Sequence, residues 1–162
     1  MVQFQAFDSS RLDYCNSVFA GVSSLLQKMQ VIQNAAARFD TGARRRDHMT
    51  SVLRELHWLP VRQRIGFKTA VMMYKCIHGL APSYLAAHCK VQTNIILPWS
   101  VPSAIHHHVW PTKLPRTKTD YGKRSFAVNG QVVWTSLPTE FRSPDISMDV
   151  FKAKLKTFLF NC

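Results

Sequence analysis

The chain has 162 residues, 46% of them hydrophobic, which is enough to bury one core or slightly more; Lys and Arg number 21 against 9 Asp and Glu, a formal net charge of +12. A balance that basic favours polyanionic partners such as RNA or DNA, against the plainer reading of a solvated basic face or of charge neutralised by a missing neighbouring domain. No apolar run reaches the ~18 residues of a membrane span, and MVQFQAFDSS has neither the basic nor the apolar region of a signal peptide. Cys15, Cys76, Cys89 and Cys162 form no CxxC pair and read as reduced thiols, so an intracellular protein, nuclear or cytoplasmic and off the membrane, is expected.

In chain order, Ser9 or Ser10 can cap a short helix that ends at Gly21, with Leu12, Cys15, Val18 and Phe19 inward. Ser23 or Ser24 then caps a helix to about Phe39, with Leu25, Met29, Ile32, Ala36 and Phe39 as its buried stripe. The same stripe at coiled-coil spacing is open to a second reading, a partner-binding seam. DTGARRRDH (40–48) is a polar connection whose Arg44, Arg45 and Arg46 can grip phosphates bidentately or can simply be solvated. Thr50 opens a short helix through His57, and Trp58 reads as an apolar anchor into the helix that follows.

That next helix has the clearest punctuation in the chain. Pro60 stands at its start, where a missing N–H costs nothing, and Gly79 and Pro82 mark its end, so the pattern predicts a helix over 61–78. Arg64, Lys68 and Lys75 lie on one narrow stripe, and Ile65, Phe67, Ala70, Val71, Met72, Met73, Tyr74, Cys76 and Ile77 cover most of the rest. A helix apolar over so much of its girth belongs at the centre of a core. Gly66 is its flaw, costing about 1 kcal/mol relative to Ala.

A short helical turn is expected at 82–89, with Tyr84 and Leu85 packing back. Residues 90–113 carry Pro98, Pro102 and Pro111, no helical period and the triplet His106, His107 and His108; adjacent histidines cannot converge on one ion, so a loop and no metal is expected. In LPRTKTDYGKRSF (114–126), Arg116, Lys118, Lys123 and Arg124 interleave with Tyr121 and Phe126. Such a mixture suits single-stranded nucleic acid, where bases stack and phosphates are neutralised; for the two rings themselves the favoured reading is that both pack inward and only the charges meet water. A short helix at 129–136 follows, with Val133, Trp134 and Leu137 inward. Ser147 caps a last helix to about Phe160 with Val150, Phe151, Leu155, Phe158 and Leu159 on its buried face.

LRELHWLPVRQRI and YKCIHGLAPSYL, flanked in order by SRLDYCNSVFAG, LLQKMQVIQNAAAR, LPRTKTDYGKRSFAVNGQVVWTSLP and FKAKLKTFLF, resemble the region that follows the polymerase core in LINE-type, jockey-like non-LTR retrotransposon reverse transcriptases. The resemblance spans the chain except roughly 90–111, where the family's Arg- and Ser-rich segment is missing. It implies that Met1 is an accidental start within a longer ancestral reading frame. It also implies a supporting part in template or target binding during RNA-directed DNA synthesis. The family's polymerase and endonuclease centres lie upstream of this region, so no catalytic residue carries over. The chain's own residues agree with no enzyme: a two-metal polymerase site needs clustered aspartates, and no two are adjacent here.

The sequence thus predicts a mainly α, compact helical protein with a minor extended or β piece near 109–126. Its expected divisions are a helical domain at 1–89 around helix 61–78, an irregular linker at 90–113, and a basic extended segment plus C-terminal helix at 114–162 packing on the helical domain. The expected function is nucleic-acid binding through Arg44, Arg45, Arg46, Arg116, Lys118, Lys123 and Arg124, with no cofactor. The alternatives are a degenerate retroelement fragment with no selected function, or a captured protein-interaction module.

Overall fold

The computed structural model describes residues 19–89, 116–143 and 145–161, and all regular structure among them is helical. The helices are α1 (Ser23–Thr41), α2 (Met49–Glu55), α3 (Val61–Ile77), α4 (Ser83–Cys89), α5 (Asp120–Arg124), α6 (Phe126–Ser136) and α7 (Met148–Phe160), with a 3-10 turn at Thr139–Arg142. The mainly α reading of the sequence therefore holds. Of the expected extended or β piece, the described residues contain no strand; Thr119 has extended φ and ψ, and Asp120–Arg124 is helical. Residues 109–115 lie outside the described residues, as do the expected helix before residue 19, the loop at 90–113 and its histidine triplet.

The chain divides into two units, the first comprising residues up to Phe67 with those from Lys156 onward, the second running from Lys68 to Leu155. In the first unit, α1 begins without a side-chain cap and stops at Gly42, whose φ of 70° is the left-handed conformation that glycine adopts without steric cost. Its buried side chains are Leu26, Gln33 and Ala37. The stripe expected from the sequence is thus rotated by about one residue. Ile32 and Phe39 are 60% and 80% exposed, and Leu25 is also exposed. Ala37 packs with Val52, Leu53 and Trp58, which makes Trp58 the apolar anchor anticipated between helices. Leu26 packs with Val61 and Ile65 of α3, with Met29 at the edge.

Gln33 is completely buried, and a buried amide is tolerable only when its polar atoms are paired. Its Nε2 donates to the carbonyl of Leu59 at 2.9 Å, and its Oε1 accepts from Gln30 Nε2 at 3.0 Å. Gln30 Oε1 in turn accepts the backbone N–H of Val61 at 2.9 Å. Gln30, itself held by Gln33, therefore supplies what the opening of α3 lacks, an acceptor for a first-turn N–H. At the other end of α2, Trp58 N–H donates to the Leu53 carbonyl at 2.7 Å, a Schellman closure. His57 occupies its left-handed position with φ 55°, a place where glycine is usual. Arg54 Nη2 donates to the Phe160 carbonyl at 3.1 Å and so satisfies a terminal acceptor of α7.

The central helix of the sequence reading is α3. Of its residues only Arg62 and Lys68 are exposed. Its end follows the expected punctuation: Gly79 has φ 69°, and Leu80 N–H donates to the Lys75 carbonyl at 2.8 Å. In the second unit, Ala70, Met73 and Tyr74 of α3 are buried with Val128 and Trp134 of α6, Leu137, Phe141, and Phe151 and Leu155 of α7. Phe151 is the aromatic hub. Its ring stacks on Tyr74 at 4.6 Å, meets Phe141 edge-on at 6.3 Å and tilts against Trp134 at 5.9 Å. Tyr74 also stacks on His78 and donates its hydroxyl to the Ile146 carbonyl, so its polar tip is satisfied within the core. α6 approaches Met73 at Gly130, where a Cβ would stand 2.7 Å from the Met73 sulfur. Two expected contacts fail. Tyr84 is 67% exposed instead of packing back, and Val150, expected on the buried face of α7, is exposed.

Candidate nucleic-acid interface

The seven basic residues singled out by sequence are divided between the two units. Arg44, Arg45 and Arg46 belong to the first unit, and Arg116, Lys118, Lys123 and Arg124 to the second. The three arginines occupy the turn between α1 and α2. Asp47 Oδ2 accepts the Arg44 backbone N–H at 2.6 Å, and Asp47 N–H donates to the Arg44 carbonyl at 3.1 Å. The aspartate thus closes the turn on itself, which is what Asx residues do in turns. Arg45 and Arg46 are left at its tip, and all three arginines are exposed.

The second group has a more defined frame. Thr119 caps α5, its Oγ1 accepting the Gly122 N–H at 3.1 Å. Asp120 lies in the first turn and Lys123 and Arg124 in the last, the arrangement that complements a helix dipole. Thr117 folds back so closely on Gly122 that a Cβ there would meet the Thr117 Cβ at 2.9 Å. The two threonines therefore pin the segment that carries the charges. Arg116, Lys118 and Lys123 are exposed and Arg124 is half-buried. Lys123 Nζ pairs with Asp120 Oδ1 at 2.9 Å. The hydrogen bond from Lys123, then its charge, and more weakly the charge of Arg124, hold the Asp120 carboxyl below its usual range. This exposed pair is worth little to stability. Among the described residues no carboxylate pairs with Arg116 or Lys118.

The two aromatics of this segment part company. Phe126 is half-buried at the start of α6, whereas Tyr121 is 79% exposed. The Arg124 guanidinium lies 5.3 Å from the Tyr121 ring centroid, within cation–π range. The sequence reading favours inward packing for both rings, which Phe126 meets in part and Tyr121 does not. The signal that separates them is the capping pattern: with Thr119 as N-cap, Tyr121 falls in the first turn of a helix too short to have an inner face.

Among the described residues no cluster of three or more His, Cys, Asp or Glu is placed to hold a metal ion. No described helix is long and apolar enough to cross a membrane. Cys76 is a free, half-buried thiol. No protein-family model, curated protein or solved structure matches the chain.

Proposed function

We propose that this chain is a nucleic-acid-binding region without a catalytic centre of its own, corresponding to the part that follows the polymerase core of a LINE-type retrotransposon reverse transcriptase. The observation that carries the reading is the pinned basic segment 116–124. It offers Arg116 and Lys118 to solvent unpaired among the described residues, with Lys123 held by one exposed carboxylate only. Cations on a fixed backbone neutralise successive phosphates at a smaller entropic cost than cations on a loose chain. The net charge of +12 and the exposed arginine turn at 44–46 support the same partner class. The ordered sequence blocks that resemble the retroelement region supply the biological setting, template or target binding during RNA-directed DNA synthesis, inside the cell.

The test is a titration of the full chain with a labelled single-stranded RNA across a salt series. Log affinity should fall with log salt at about −0.7 per phosphate contact, and replacing Arg116, Lys118, Lys123 and Arg124 by Gln should flatten that slope by up to about 3. An affinity independent of salt refutes the reading.

A second reading rests on its own observation. Leu25, Ile32 and Phe39 recur every seven residues along α1 and are all exposed, as a captured protein-interaction module would require. Light scattering distinguishes it, because a discrete oligomer favours the seam and a monomer disfavours it.

A further inference from the structure

We propose that Tyr121 is a base-stacking platform, so that segment 116–124 takes single-stranded nucleic acid in preference to duplex; this rests on the nucleic-acid reading above and names the form of its ligand. A tyrosine that is 79% exposed contributes little to a core, so its apolar ring is available to a ligand. The ring is not free to wander. The Thr119 cap and the Thr117–Gly122 contact fix the backbone on both sides of it, and the Arg124 guanidinium lies against it. A stacking surface held in this way loses little rotamer entropy on binding.

The surrounding charges complete the argument. Lys118 precedes the ring by three positions and Lys123 and Arg124 follow it by two and three, so cations flank the aromatic on both sides along the chain. Single-strand-binding surfaces combine those two elements, phosphate neutralisation along the backbone and a π-face for an unstacked base. In a duplex the bases are already stacked on one another, and only phosphates and groove edges remain to be met. The ring therefore adds affinity for single strands alone, whereas the lysines and arginines serve both forms.

The experiment measures anisotropy of a fluorescein-labelled oligouridine of about 12 nucleotides, within single-strand site sizes, and of a duplex of equal length, with the full chain and its Tyr121→Leu and Tyr121→Phe variants. Tyr121→Leu should weaken oligouridine binding about tenfold, the lower part of the range for losing one stacked base, and leave duplex affinity and the salt slope unchanged. Tyr121→Phe keeps the ring and should bind as the unchanged chain does. Equal binding by the Leu variant, equal losses on single strand and duplex, or a Phe variant as weak as the Leu variant would each overturn the proposal. If the four Gln substitutions flatten the salt slope while Tyr121→Leu changes nothing, stacking fails and phosphate binding stands. If neither nucleic acid binds at low salt, both fail.

Discussion

One substitution made at two glycines should have opposite effects. Gly66 and Gly130 both lie inside helices, where exchange for Ala gains about 1 kcal/mol of helix propensity. At Gly66 an added Cβ meets nothing within 4 Å, so the gain is realised in full. At Gly130 the new carbon stands 2.7 Å from the Met73 sulfur, 3.2 Å from its Cγ and 3.3 Å from Phe126 Cε2. Met73 has no exposed surface into which it can withdraw. Overpacking of this kind costs about 1–3 kcal/mol, which exceeds or cancels the propensity gain and leaves Gly130→Ala about 0–2 kcal/mol less stable than the parent. The two variants should therefore differ by about 1–3 kcal/mol, or several degrees in Tm for a chain of this size. Denaturant titration followed by far-UV circular dichroism measures both. A Met73→Ala background supplies the control. With the sulfur and Cγ removed, the added methyl at 130 enters vacated space and should no longer destabilise. If Gly130→Ala proves as stable as Gly66→Ala, the close approach of α6 to Met73 is wrong.

Two further outcomes follow from other contacts. Gln30→Ala removes the acceptor of the Val61 N–H and the donor to Gln33 together, so it should cost about 1–2 kcal/mol in the same denaturation assay. Asp120→Asn frees Lys123 and adds one positive charge, so it should tighten single-stranded RNA binding and steepen the salt slope by up to about 0.7. Because the Asp120 carboxyl is held below its usual range, its small contribution to stability is present above the unfolded aspartate value and is lost only as pH falls through the lowered one. Melting curves of parent and Asp120→Asn should therefore stay parallel from neutral pH to pH ~5 and converge only in stronger acid.

The helices were legible where breakers and apolar periodicity agreed. α3 starts after Pro60 and ends at Gly79 as the punctuation implies. The inward face of α1 was not legible, and the reason is a polar residue. Hydropathy favours Ile32 over Gln33 as the buried neighbour, yet Gln33 goes inward because the Leu59 carbonyl and Gln30 satisfy its amide. That partnership joins residues far apart in sequence and leaves no periodic trace. α5 was missed for a different reason. Gly122 reads as a breaker, while the Thr119 cap and the flanking charges that favour the helix count only once the turn is recognised. The basic residues of the candidate interface could be named from sequence, but the exposure of Tyr121 could not, since aromatic residues between charges are found on both sides of a protein surface.

The first unit is assembled from two stretches that lie far apart along the chain. Its early part, through Phe67, shares a unit with the stretch beginning at Lys156, and Arg54 reaches across to the Phe160 carbonyl. The described residues between, from Lys68 to Leu155, belong to the second unit. During vectorial synthesis the stretch assigned to the second unit therefore emerges before the segment from Lys156 that the first unit needs, so the first unit should be the later of the two to close. Until that segment emerges, Leu53, Trp58 and their neighbours wait in an unfinished unit. Nascent chains halted before residue 156 should be more readily cleaved by protease in the first unit than in the second.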